Sequence, residues 1–239
     1  MLHIRPVRED GASPEIQRVY ADIKQTFGIE LVPLVFQYIA GFQEYFFYVW
    51  EKIKQNVQSD FFVHSTGEVI SFSRETIPHI YHPSRAALSF VDTLHPEERN
   101  HIGETVSQLE RVNANLFLIT IGMREGLKGI DIGKHLLKDK TEEITIVEEV
   151  FDQFINNNIM RQNLREQQEL QGASKMLAPL FGASNLMISR YPEFFGKIAE
   201  EMDHLVRTEF YLSTRVGLER LGILTVNNLA YPLGTSYRE

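Results

Sequence analysis

Cysteine is absent from this chain of 239 residues. Disulfide frameworks, thiolate metal sites, iron–sulfur clusters, cysteine nucleophiles and CxxC redox pairs go with it. Basic residues are in the minority, 24 against 32 acidic, and leave a net charge of −8. Such a chain repels phosphate backbones, and its arginines and lysines are scattered among carboxylates, as over 149–169, so no nucleic-acid partner is expected. Long apolar runs are missing as well. The longest, 31–42 and 116–123, fall short of the roughly 20 residues that span a bilayer. The amino-terminal stretch meets Arg5, Arg8, Glu9 and Asp10 before any apolar segment develops, which is not a signal-peptide pattern. The expectation is a soluble, cytoplasmic protein with no membrane partner. The motifs GxGxxG, GxxxxGK[ST] and GxSxG do not occur either, so nucleotide binding and the common serine-hydrolase arrangement gain no support.

What is present is helical punctuation. Ser13-Pro14-Glu15 offers a hydroxyl at an N-cap and a proline at the first helical position, where its missing N–H costs nothing. Ile16, Val19, Tyr20, Ile23 and Phe27 follow at helical spacing until Gly28. A second helix is expected over 31–40. A third, from Gln43, carries Phe46, Val49, Trp50, Ile53 and Val57 on one face. The stretch 67–83 is looser, and the alternation Glu68-Val69-Ile70-Ser71-Phe72 suggests a short strand. His95-Pro96-Glu97-Glu98 opens a long helix with the seam Ile102, Val106, Leu109, Asn113, Leu116, Thr120 and Met123, ended by Gly126 and Gly129. The segment 141–171 reads as a further helix strapping two halves together.

Those halves are related. Shifting the sequence by 149 residues sets 36–63 over 185–212 without a gap. Ile39/Ile188, Glu44/Glu193, Phe46/Phe195, Glu51/Glu200, Val57/Val206 and Phe61/Phe210 are identical pairs, and Phe42/Tyr191, Tyr45/Phe194, Asp60/Glu209 and Phe62/Tyr211 are conservative ones. Two amphipathic helices always share some apolar spacing, but a matching turn, carboxylates and aromatics together argue for duplication. The expected fold is all-α, an internally duplicated helical pseudo-dimer: a first repeat over 1–127, a helical linker over 128–171 and a second, shortened repeat over 172–239.

The segments Pro14-Glu15-Ile16, Tyr20-Ala21-Asp22-Ile23, Phe27-Gly28 and Val32-Pro33, followed by Phe36, Ile39-Ala40, Tyr45 and Trp50, resemble the opening of the group I 2-haloacid dehalogenases. Tyr191-Pro192-Glu193-Phe194-Phe195 resembles the same turn in the second copy. The resemblance implies an all-α protein of two repeats, with a helical unit similar to the carboxymuconolactone decarboxylase and alkylhydroperoxidase group. It also implies a hydrolytic dehalogenase that needs no cofactor, in which an aspartate activates water to displace halide from a 2-haloacid. By repeat position Asn185, in Ser184-Asn185-Leu186-Met187-Ile188, stands where that aspartate belongs, and an amide cannot accept a proton near pH 7. Asn113 matches the asparagine that holds the water. Phe36, Ser184, Ile188 and Thr120 complete the implied pocket, which takes a small carboxylate. The alternative is a non-catalytic protein of the same fold that binds a small acid or a protein partner, and a homodimer stays open as the assembly.

Other constellations have structural explanations. His79 and His82 flank Ile80-Tyr81 and meet Pro83 at once, unlike the four-residue spacing of a helical zinc site, so no metal site is expected. His64 and His204 do not coincide in the repeat. Glu44 and Glu193 sit in the first turns of equivalent helices, where the helix dipole favours a carboxylate. Glu51 and Glu200 are paired without the Glu-x-x-His motifs of helical diiron sites.

Overall fold

The computed structural model describes residues 5–130, 132–133, 201–202, 205–206 and 208–233. Within them the chain forms seven α-helices and no strand: α1 (Pro14–Phe27), α2 (Leu34–Ile39), α3 (Gln43–Val57), α4 (Asp60–Ile80), α5 (Arg85–Thr93), α6 (Pro96–Leu127) and α7 (Glu209–Asn227). The protein is all-α. Among the described residues no helix is long and apolar enough to cross a membrane.

The first three helices build an aromatic core. Ser13 caps α1 by accepting from the Ile16 N–H at 3.4 Å, and Gly28 ends it in the left-handed conformation at φ 63°, which a residue without Cβ adopts at no steric cost. The buried stripe of α1 is Ile16, Tyr20, Ile23 and Phe27. Phe36 of α2 lies 6.0 Å from the Phe27 ring and meets Trp50 of α3 edge-on at 5.6 Å. Trp50 is 1% exposed, and its indole N–H finds Asp22 at 2.8 Å, while Lys54 closes on the same carboxylate at 2.9 Å. A buried indole donor needs such a partner.

Beyond the aromatic core, α4, α6 and α7 all pack against one another. The expected strand near 68–72 is instead the middle of α4, and the helix runs through the expected loop as far as Ile80. Val69, Phe72 and Thr76 are buried at helical spacing and continue the stripe of Phe61, Phe62, Ser65 and Thr66. Over five residues a strand alternation and a helical stripe share positions, and the longer window decides. Pro78 enters only at the last turn, where it ends the helix rather than kinking it. On α6 the expected seam is rotated: Val106 is exposed, and the buried line runs Ile102, Thr105, Val112, Leu116, Ile119 and Met123.

Two further features fix α7. Gly222 faces α6 so closely that an added Cβ would stand 2.4 Å from Ile121 Cδ1 and 2.9 Å from the Phe117 ring. Asn56, at the end of α3 and 1% exposed, accepts from the Tyr231 N–H at 3.1 Å and donates to the Tyr231 carbonyl at 3.0 Å. The segment after α7 is thereby stapled to the first core.

Candidate functional site

A cavity of about 330 Å³ opens where α4, α6 and α7 meet. Val69, Ile70 and Ser73 of α4 form one wall; Glu110, Asn113, Ala114 and Phe117 of α6 form another; Leu218 of α7 closes the third side. The α6 contributors recur at the three- and four-residue spacing that puts side chains on one helical face. Among the described residues the lining is apolar except for Ser73, Asn113 and Glu110.

The polar groups differ in how far they are committed. Ser73 donates its hydroxyl to the Val69 carbonyl at 2.9 Å, which leaves its oxygen lone pairs to accept. Glu110 is gripped from outside by Arg74, whose Nε and Nη2 donate to the two carboxylate oxygens at 3.0 and 2.6 Å. That hydrogen bond and the opposite charge raise the Arg74 pKa further. Asn113 makes no side-chain hydrogen bond among the described residues, so its amide is available to something in the cavity. Its near neighbour Asn115 points elsewhere and lies 2.8 Å from the Thr66 hydroxyl.

One helical turn before the cavity, two hydroxyls are buried without a hydrogen-bond partner: Ser65 on α4 and Thr214 on α7. They precede the cavity residues Val69 and Leu218 by four positions each. Both pairs, Ser65/Thr214 and Val69/Leu218, are separated by the same 149 residues as the sequence repeat.

No family model matches the chain. Over 119 residues it is 25% identical to an (R)-2-haloacid dehalogenase of Pseudomonas putida, a stretch that covers 50% of this chain and 36% of that protein. A D-2-haloacid dehalogenase solved in complex with L-LA superposes with a TM-score of 0.72 at 17% identity, covering 96% of this chain and 80% of that one. A mutant of a D-2-haloacid dehalogenase with D-2-CPA gives 0.73 at the same identity and coverage. The chain has the helical fold of the D-2-haloacid dehalogenases, and over half its length it is similar in sequence to an (R)-2-haloacid dehalogenase.

Among the residues singled out by resemblance to the 2-haloacid dehalogenases, Asn113 lies in the cavity wall. Phe36 is 0% exposed, sits in the aromatic core with Phe27 and Trp50, and is not among the lining residues. Thr120 turns its hydroxyl back to the Leu116 and Phe117 carbonyls at 2.8 and 3.0 Å, inside its own helix. Ser184, Asn185 and Ile188 lie outside the described residues, as do the expected helix over 141–171 and most of the linker. Sequence reasoning missed Ser73, Glu110 and Arg74. Glu110 stands three positions before Asn113 and so shares its face, a signal that was readable once Asn113 had been chosen. Ser73 and Arg74 were hidden by taking 67–83 as a loop.

Proposed function

We propose that the chain descends from cofactor-independent 2-haloacid dehalogenases and holds a small carboxylate in a pocket between two related repeats, with Asn113 in its wall. The observation that carries this is the pairing of a dehalogenase-like fold over 96% of the chain with an uncommitted Asn113 amide in a cavity. In direct displacement, water adds to C2 as the carbon–halogen bond breaks, halide leaves, and a base takes the water's proton. Asn113 would orient the water or the ligand carboxylate by hydrogen bonding. Asn185, in the position of the base, cannot take the proton, so the chain either employs another base or only binds the acid. Phe36, Thr120, Ser184 and Ile188 belong to the same proposal as the substrate-binding residues that the resemblance implies. The proposal also takes the chain as cytoplasmic and includes a homodimer as an assembly, which sedimentation tests.

Halide release from racemic 2-chloropropionate by the wild type and by Asn185→Asp, at high enzyme concentration, tests the chemistry. Release by the wild type would show that another base serves. Silence in the wild type with release by the aspartate variant would mark a lapsed enzyme with its pocket intact. Silence in both would favour the non-catalytic binding protein.

A further inference from the structure

Among the described residues that line the cavity between α4, α6 and α7, Glu110 is the one ionisable side chain. An unpaired carboxylate there would set a negative wall in a half-enclosed apolar space. It would repel an acid and attract a cation, because charges a few Å apart interact strongly where water is partly excluded. The structure does not leave it unpaired. Arg74 meets both oxygens of Glu110 in the two-pronged geometry that is the strongest of the arginine–carboxylate arrangements. The pair is oriented: the Glu110 side chain is 24% exposed and faces the cavity, whereas Arg74 is 63% exposed and stands on the solvent side. Three of the five guanidinium N–H groups are left over after these two bonds. The described part of the cavity wall is thus electrically neutral only as long as Arg74 holds its place, since the other described lining residues are apolar or uncharged.

We propose that Arg74 is a specificity residue for this cavity: by neutralising Glu110 it admits an anionic ligand where the wall alone would select a cationic or neutral one. The inference rests on the carboxylate pocket proposed above. Arg74 acts through Glu110 and through the field at the cavity mouth, so its loss changes which charge of ligand is bound and leaves the shape of the cavity alone.

The test compares isobutyrate with isobutyramide, two ligands of one shape that differ in charge. In isobutyrate a methyl stands where 2-chloropropionate has chlorine, so no halide can be lost. Binding to the full chain is followed by ligand-observed NMR for the wild type, Arg74→Gln, Arg74→Lys and Glu110→Gln. Arg74→Gln is expected to weaken isobutyrate about tenfold while isobutyramide stays within about twofold, and low salt should widen the gap. Arg74→Lys retains the cation and most of the affinity for the acid. Glu110→Gln removes the negative wall, frees the guanidinium and tightens isobutyrate, an outcome of opposite sign that does not depend on how well Arg74→Gln folds. Equal affinity of the wild type and Arg74→Gln for isobutyrate overturns the proposal, and so does a parallel loss of both ligands, which would mean that Arg74 merely supports the walls. Isobutyrate bound by neither the wild type nor Glu110→Gln would overturn the carboxylate pocket itself.

Discussion

Glu125, in the last turn of α6, is 4% exposed and ionised in a place where burial alone would raise its pKa. Lys128 at 3.0 Å and Arg124 at 2.7 Å outweigh that cost and hold the carboxyl below its ordinary value. Arg124 also reaches Glu219 of α7, so the cluster ties α6 to α7. Asp22 behaves alike in the first core: burial pushes it up, and Lys54 and Trp50 bring it down further. A carboxyl whose folded pKa is depressed contributes stability that is present above its unfolded value and lost as pH falls through the folded one. Stability is therefore expected to hold at neutral pH and to decline below about pH 4. Glu125→Gln should lower stability at pH 7 by about 1 to 3 kcal/mol and flatten the acid limb of a urea-midpoint against pH curve. An acid limb of unchanged slope in the variant would remove Glu125 from this role.

At the scale of elements, α6 and α7 meet through a glycine. Gly222→Ala puts a methyl group 2.4 Å from Ile121 Cδ1 and within 3.0 Å of the Phe117 ring. The isoleucine tip can swing aside, but the ring stands in the cavity wall and has less room. An expected cost of about 1 to 3 kcal/mol in chemical denaturation should come with weakened isobutyrate binding as the ring moves inward. Full stability and unchanged binding would show that the crossing has slack. The same elements show how far the sequence could be read. Ser13-Pro14 and His95-Pro96 marked helix starts correctly, because capping is local chemistry between a side chain and the next turn. The middle of α4 was misread: Glu68-Val69-Ile70-Ser71-Phe72 is too short a window to separate a strand from a helix, and the longer stripe from Phe61 to Thr76 decides for the helix. Phe36 shows the limit for the site. Its aromatic character suits a pocket and a core equally, and the Phe27 and Trp50 rings that surround it are reached only by folding.

For the whole molecule, the question is whether one helical unit occurs twice. The sequence register of 149 residues ends at 63 over 212, and two further pairs of positions at the same offset share a structural feature. Ser59 caps α4 by accepting from the Phe62 N–H at 3.2 Å and donates to the Asn56 carbonyl at 2.6 Å. Thr208 caps α7 by accepting from the Tyr211 N–H at 3.2 Å and donates to the Leu205 carbonyl at 2.8 Å. All three pairs of positions differ by 149, as do the orphan hydroxyls Ser65 and Thr214 and the cavity residues Val69 and Leu218. We propose that the shared caps and the shared unpaired hydroxyl at one register reflect a duplication, since apolar spacing alone is common to any two amphipathic helices. If α4 and α7 are equivalent elements packed on one helix, Ser59→Ala and Thr208→Ala should each cost about 1 kcal/mol. The double variant should lose the sum to within about 0.5 kcal/mol, since the two caps share no partner. Urea unfolding followed by circular dichroism checks both, with a single transition of unchanged steepness expected throughout. A cap at Thr208 that costs nothing, or a second transition in that variant alone, would mean that α7 is an appendage rather than the counterpart of α4.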